Sequence, residues 1–558
     1  MVTIQKTDPR LMFLSDASKE SVPTRKKAQA SATALASASH LRLLGTSRKE
    51  AIDAINDPAR FGVVLETSLD KLAKTGKAKD RPWADTYWPT YQDGLNHRWQ
   101  STGNFKNDLS PAEKFDAAFN SWNPEDVKGL KPFAAEYGQF DKPFDASYYD
   151  KLGPLAKYLS SFKGNKATRD AAVAGKLNSD GTAKSGKEEE DYGGVESWTG
   201  LCHAWCPASI REKEPLHAVE YNGVRFEVSD IKALLIACYN RSNSIMIGGR
   251  DEQKSLEVDT IGRPKSAGAR DINPGTMHIL LGTLLGRDGQ PFVEDRTASR
   301  QVWNQPIAEY RVVQQDEVTA ADAAKLLGKT DGKYDFNAKA VKFVHVKTEV
   351  DYISESYPST NPNSGTDAQE REDPYEYILE LDQAGKILGG EWVGDSRTAH
   401  PDFLWYPYKD GGMPIAPQIS LEQVRVLLAK SRESVDGTGG TGGTGGTGGT
   451  TNPDLVNVEK TAKLDKGQTL SLDPIVVKKS GVLELSISGS GDMDVYARKG
   501  KAPTFSAQDG SPIKTSVALY EPGSSEKKTL NVKAGDKIYV TMRGYEDSNA
   551  KLTIKQLS

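Results

Sequence analysis

The stretch Trp198-Thr-Gly-Leu-Cys202-His-Ala-Trp205-Cys206-Pro-Ala-Ser-Ile210 decides how this chain is read. A glycine turn runs into an apolar segment of helical character that opens on a cysteine. In that place the sulfur faces the unpaired N–H groups and positive end of a helix, which lowers a thiol pKa and favours the thiolate. Pro207 lacks an N–H and follows closely, so the helix is expected to be short, kinked or offset there. The chain has three cysteines in 558 residues, Cys202, Cys206 and Cys238. They cannot form a disulfide framework, and at least one thiol is left unpaired.

A nucleophilic thiolate needs a base that can also return the proton to a leaving group. His278, in Asn-Pro-Gly-Thr-Met-His278-Ile-Leu-Leu, is expected to open an apolar strand and project into a cleft. Asp295, in Pro-Phe-Val-Glu-Asp295-Arg-Thr, ends a second apolar strand. A hairpin through Gly286-Arg-Asp-Gly289 would lay Asp295 beside His278, where the carboxylate holds the imidazole tautomer. The order Cys202, His278, Asp295 is the plan of papain-like peptidases and transglutaminases. Each member also has a plain structural reading: an inert core thiol, a strand-end histidine, a turn aspartate. No metal site is expected. Cys202, His203 and Cys206 offer soft ligands without the paired second cluster that a closed zinc site needs. Glu188-Glu-Glu-Asp191 lacks the spacing of a calcium loop and reads as a solvated turn, so calcium stays open only as a cofactor without a legible site.

Lys+Arg 72 against Asp+Glu 76 gives a net charge of −4 and a pI near 6.1, which argues against nucleic acid as a partner. No apolar run reaches the ~20 residues that cross a bilayer, so no membrane partner is expected. Asp8, Arg10 and Asp16 stand where a signal peptide has its apolar stretch. Residues 1–79 read as a helical region or prosegment, with Ile52, Ile55, Val63, Leu65, Leu69 and Leu72 at helical spacing. Trp83, Tyr87, Trp88, Tyr91 and Trp99 must bury against a core or around a groove. The polar run Gly175–Gly194 reads as an exposed loop. Residues 80–434 alternate helical and strand-like pieces, among them Ile231–Cys238, Ala340–Val350 and Tyr375–Leu381, which indicates an α+β core. The Thr-Gly-Gly repeat Gly437–Thr451 marks a flexible linker over 435–454. Residues 455–558, with period-two strands at Val482–Ile487, Asp494–Ala497 and Ile538–Met542, read as an all-β sandwich.

The stretch Phe292-Val-Glu-Asp295-Arg-Thr-Ala-Ser-Arg-Gln-Val302-Trp303-Asn304-Gln305-Pro306-Ile closely resembles a segment of oomycete (Phytophthora-type) elicitor transglutaminases. The resemblance extends to Asp85-Thr-Tyr-Trp-Pro-Thr-Tyr-Gln-Asp-Gly94, Gly200-Leu-Cys-His-Ala-Trp205, Asn222-Gly-Val-Arg-Phe, Asp230-Ile-Lys-Ala-Leu234 and Asp271-Ile-Asn-Pro-Gly-Thr-Met-His278. It implies a papain-related core with protein-glutamine γ-glutamyltransferase activity, taking protein glutamines and lysines or other amines as substrates. Cys202 matches the family's nucleophile position, and His278 and Asp295 fall where such a fold needs its other two members. Transfer to an amine demands that water be excluded, and Trp198, Trp205 and Trp303 are the candidates to wall a substrate tunnel, although core packing is the commoner role of a tryptophan. The alternatives are a cysteine peptidase, amidase or deamidase of the same architecture, and an elicitor or binding protein without catalysis. The tail resembles the bacterial pre-peptidase C-terminal domain through Gly481-Val-Leu-Glu-Leu, Gly489-Ser-Gly-Asp-Met-Asp494-Val-Tyr-Ala-Arg, Lys501-Ala-Pro503-Thr and Val540-Thr-Met-Arg-Gly544-Tyr545. That resemblance implies a secreted bacterial enzyme. The oligomeric state is not legible in the sequence.

Overall fold

Runs of strand-forming residues on both sides of the cysteine stretch assemble into one sheet. In the computed structural model the described residues are 52, 54–136, 138–249, 265, 271–296, 301–362, 370–433, 455–464, 468–472, 474–500, 503–505, 512–514, 517–519 and 524–557. The sheet contains β1 (Thr75–Lys77), β2 (Arg241–Gly248), β3 (Val293–Asp295), β4 (Asn304–Val318), β5 (Lys342–Ile353), β6 (Glu370–Leu381), β7 (Ile387–Trp392) and β8 (Phe403–Met413). Its order is β2-β8-β3-β4-β5-β6-β7, with β1 added to β4. The pairings of β3 with β4 and with β8 are antiparallel and set Asp295 opposite both Asn304 and Phe403.

Side chains alternate across a strand, so this sheet has two apolar faces and a separate core on each. Val293, Ala308, Phe403 and Trp405 face one core, which they share with α1 (Cys202–Arg211), α2 (Val228–Cys238) and the buried side of α4 (Leu421–Ser431). Ile307, Tyr310, Tyr377 and Leu404 face the other, which they share with α3 (Pro274–Leu280) and the π-helical turn Leu281–Arg287 that prolongs it.

The segment around His278 is therefore a helix and not the expected strand. Asn273 caps it by accepting from Gly275 N–H at 2.9 Å, and Pro274 supplies the preset φ of a first helical residue. Those two cues outweigh the apolar run that follows. Residues 52–79 also differ from expectation. They hold two short 3-10 turns, Pro58–Phe61 and Leu69–Lys71, and then β1, while Phe61, Leu69 and Leu72 enter the second core. This part of the N-terminal region belongs to the fold, and the rest of it lies outside the described residues, as do the linker repeat and Lys501-Ala502. Of the aromatic run, Trp83, Tyr87, Trp88 and Trp99 pack in or against the first core, and Tyr91 packs on a small separate cluster with Phe140 and Tyr192. Gly175–Gly194 is mostly exposed, yet Leu177, Asp191 and Tyr192 are buried.

The described residues divide after Arg432 into two compact units, apart from the short segment Asn361–Arg371, which groups with the second. In the second unit, the strands β9 (Asn457–Leu464), β10 (Thr469–Ser471), β11 (Ile475–Val476), β12 (Gly481–Ser490), β13 (Met493–Lys499), β14 (Val517–Leu519), β15 (Ser525–Val532), β16 (Lys537–Gly544) and β17 (Ser548–Leu557) form two antiparallel sheets. Their orders are β9-β17-β12-β15 and β10-β16-β13-β14, with β11 on β16. Leu483, Leu485, Val495, Val540, Met542, Leu552 and Ile554 fill the space between them, as the period-two pattern requires of a sandwich.

Candidate functional site

Gly200 is where the backbone of Tyr87 passes the start of the cysteine helix. A Cβ there would lie 2.6 Å from the Tyr87 carbonyl oxygen, and the next residue, Leu201, donates its N–H to that oxygen at 2.6 Å. Only glycine fits such an approach. The contact fixes Cys202 as the first residue of α1, where the N–H groups of Cys202 and His203 have no helical carbonyl to bond. The helix continues through Pro207 to Arg211, so the proline costs one hydrogen bond without ending it.

The Cys202 side chain is 7% exposed. Its Sγ receives the Nδ2–H of Asn304 at 3.5 Å, and the indole of Trp405 donates to Asn304 Oδ1 at 2.9 Å. The tryptophan thus orients the amide so that its NH2 points at the sulfur. Cys206, one turn further along the helix, donates its thiol to the Asn304 carbonyl at 3.2 Å. Asp295 lies opposite Asn304 on β3 and accepts the Trp303 N–H at 2.8 Å. Burial pushes the Cys202 thiol up to about 11, against the Asn304 hydrogen bond that lowers it; the Glu355 and Asp295 carboxylates add to the rise. The lowering expected from the helix end is outweighed, because a thiolate out of water and near two carboxylates is costly.

His278 does not reach this place. It sits on α3 in the second core, 3% exposed, with Nδ1 paired to the Tyr377 hydroxyl at 2.8 Å, and that hydroxyl is in turn 2.7 Å from Thr348 Oγ1. The sheet stands between its ring and Cys202, and burial pulls its pKa down to about 4. Of the three expected triad members, the structure brings Cys202 and Asp295 to one face and leaves His278 on the other. His203 turns to Asn240, and His400 bonds Asp271.

The three tryptophans separate as well. Trp205 is 0% exposed and donates to the Trp83 carbonyl at 3.0 Å, so it is core and not a substrate wall. Trp198 is half-buried against the same core. Trp303 is half-buried beside Asp295, with its ring edge-on to Tyr87 at 6.2 Å. Asn304, Trp405, Gln305 and Glu355 were not picked out by sequence reasoning. The first and third stand inside the Val-Trp-Asn-Gln-Pro string that carried the resemblance, but polar residues in a strand give no periodic signal of a site.

A cysteine at a helix start, faced from the central strands of an α+β sheet by an oriented amide and a carboxylate, defines a protein with a buried thiol site. The sequence profile of the transglutaminase elicitor family matches residues 55–131 and 147–434, and the chain belongs to that family. Among solved structures it is similar to the GP42 transglutaminase from Phytophthora sojae, at 30% identity over 69% of this chain and 99% of that chain, with a TM-score of 0.49. Two shorter likenesses are to PirA, at 16% identity over 18% of this chain and 93% of that one with a TM-score of 0.13, and to a carbohydrate-binding module of Cellvibrio mixtus lichenase 5A in complex with cellotriose. The latter has 11% identity over 20% of this chain and 92% of that one, with a TM-score of 0.13. No curated protein matches the chain.

Proposed function

We propose that the chain is a protein-glutamine γ-glutamyltransferase whose nucleophile is the Cys202 thiol. The observation that carries this reading is the place of Cys202 at the start of α1, with the Asn304 amide turned onto its sulfur, in a chain of the transglutaminase elicitor family. With the thiol near pKa 11, only about one molecule in ten thousand holds a thiolate at pH 7. Proton removal is therefore coupled to attack, and Asp295, on the same face, is the acceptor. The sulfur attacks the side-chain carboxamide of a glutamine, the Asn304 NH2 and the free N–H groups of the first helical turn bind the oxyanion, and the thiol proton leaves on ammonia. An amine then attacks the thioester and forms an isopeptide bond; water in its place gives deamidation. Trp303 and Trp198 line the approach and limit water. No step of the reaction as written is routed through a metal.

The burial of the Cys202 thiol and the place of His278 in the opposite core favour one second reading, an elicitor-type binding protein without catalysis. Incubation with a glutamine-bearing protein and a fluorescent primary amine separates the two. Label incorporation by the native chain and its loss in Cys202→Ala supports the transferase; equal incorporation by both, or none by either, contradicts it. We further read the protein as acting outside the cell, in line with its family, with the β-sandwich as an accessory module of pre-peptidase C-terminal type. No helix among the described residues is long and apolar enough to cross a membrane.

A further inference from the structure

Glu294 on β3 stands directly opposite Gln305 on β4, so the two side chains share one face of the sheet. They are 0% and 2% exposed. Glu294 Oε2 accepts from the Tyr375 hydroxyl at 3.3 Å, and Gln305 Nε2 donates to Glu355 Oε1 at 2.9 Å. Among the described residues, Glu294 Oε1 and Gln305 Oε1 have no hydrogen-bond partner. Turning the Gln305 amide over would set its oxygen against the Glu355 carboxylate, so that oxygen keeps its place and needs a donor. Buried acceptors without donors are costly and few in native proteins. A single proton on Glu294 turns two mutually repelling acceptors into a donor and an acceptor. The surroundings favour that proton. Burial first, then Asp373 on β6, push the Glu294 carboxyl up to about 8, with Asp295 adding to the rise; Arg296 and the Tyr375 bond act against it. Arg296 is itself held by both oxygens of Asp373 at 3.0 Å and lies over the Tyr352 ring of β5, while the β8 residue opposite Glu294 is the apolar Leu404.

We propose that Glu294 is a neutral carboxylic acid that donates its proton to Gln305 Oε1, and that this bond makes it a positioning residue for the thiol site. The next pair along the same two strands is Asp295 and Asn304, and Asn304 carries the amide that meets the Cys202 sulfur. The proton on Glu294 holds for either reading of the site; its effect on transfer rests on the transferase reading given above. Loss of the proton leaves a carboxylate facing the Gln305 oxygen, and the repulsion is relieved by moving β3 and β4 apart where they carry the site. Ionisation of the Cys202 thiol, which stands at about 11, makes transfer rise with pH. The Glu294 proton sets an alkaline limit well below that value.

Glu294→Gln keeps the shape and offers an N–H to Gln305 at every pH, so the native chain is compared with it. Urea unfolding reads the proton without any activity. The carboxyl titrates near 8 when folded and at 4.5 in its ordinary state, so the folded chain holds one more proton between those values and stability is lost as pH rises through that window. The unfolding constant of the native chain relative to the variant should rise about tenfold per pH unit across the window and level off above it. A ratio that stays constant, or that falls as pH rises, overturns the proposal. Infrared difference spectra supply a second route: a protonated-carboxyl band in the native chain at about pH 6, missing from Glu294→Gln, supports it, and its absence from both overturns it. In amine incorporation, kcat of the native chain relative to the variant should fall about tenfold per pH unit above 8. A constant ratio overturns the positioning role. A native chain that transfers nothing at any pH overturns the transferase reading instead, and the unfolding ratio still decides the proton.

Discussion

At the scale of single residues, the site turns on how Asn304 is held. Its amide is fixed at both ends, by the Trp405 indole on Oδ1 and the Cys202 sulfur at Nδ2. A donor that is already aimed costs nothing to orient when charge develops on the substrate oxygen. Asn304→Ala should therefore lower kcat by about 10²–10³ with little change in KM, read from steady-state amine incorporation. A fall confined to KM would assign the amide to ground-state binding. His278 gives a different expectation, because its ring is buried in the opposite core. His278→Gln should keep transfer within a few-fold and instead alter stability. The native His278 titrates near 4 when folded and 6.5 in its ordinary state, so the unfolded chain takes up the proton first as pH falls. Its contribution is whole above pH 6.5, is lost through the window from 6.5 to 4, and is flat below that. The stability advantage of the native chain over His278→Gln should thus shrink by roughly 3 kcal/mol across that window, measured by urea unfolding at fixed pH values. A constant difference would mean that the ring is not held neutral.

At the scale of elements, the helix α3 is locked by its N-terminal turn. A Cβ on Gly275 would stand 2.7 Å from the Gly389 carbonyl on β7, so backbone meets backbone with no side chain between. Gly275→Ala should cost about 1–3 kcal/mol in unfolding free energy, an overpacking penalty that urea titration reads directly. A neutral effect would show that α3 can move off the sheet. The same helix shows what the sequence hid. The Asn273-Pro274 cap was present in the letters, but the apolar run after it fits strand and helix alike, and choosing the strand laid His278 beside Asp295. The helix start at Cys202 was legible because a Gly turn ahead of it is a local pattern, as were the strands of the sandwich, with alternation of period two over Leu483–Ser488. Which face of a sheet a helix covers is set by long-range connection, and no local spacing carries it. The sulfur's pKa was misjudged for the same reason, since the helix end is a local cue and burial is not.

At the scale of the whole molecule, the N-terminal residues 52–79 complete the sheet and do not shield a finished one. β1 pairs with β4 through Thr75 to Lys77, and Leu69 and Leu72 close the second core. Deleting residues 1–79 should give an unfolded or aggregated chain with no rise in transfer, as judged by circular dichroism and amine incorporation. A folded, more active product would restore the prosegment reading. The two compact units have hydrophobic cores of their own.

In the proposed reaction, acyl transfer runs through Cys202 on one face of the sheet without help from His278 on the other. Intact-mass analysis after single-turnover mixing with a glutamine peptide tests it most directly, because the thioester adds the peptide mass less ammonia. The adduct should appear on the Cys202 fragment in the native chain and in His278→Gln, and should be missing in Cys202→Ser. An adduct lost with His278, or found on Cys206 or Cys238, would contradict it.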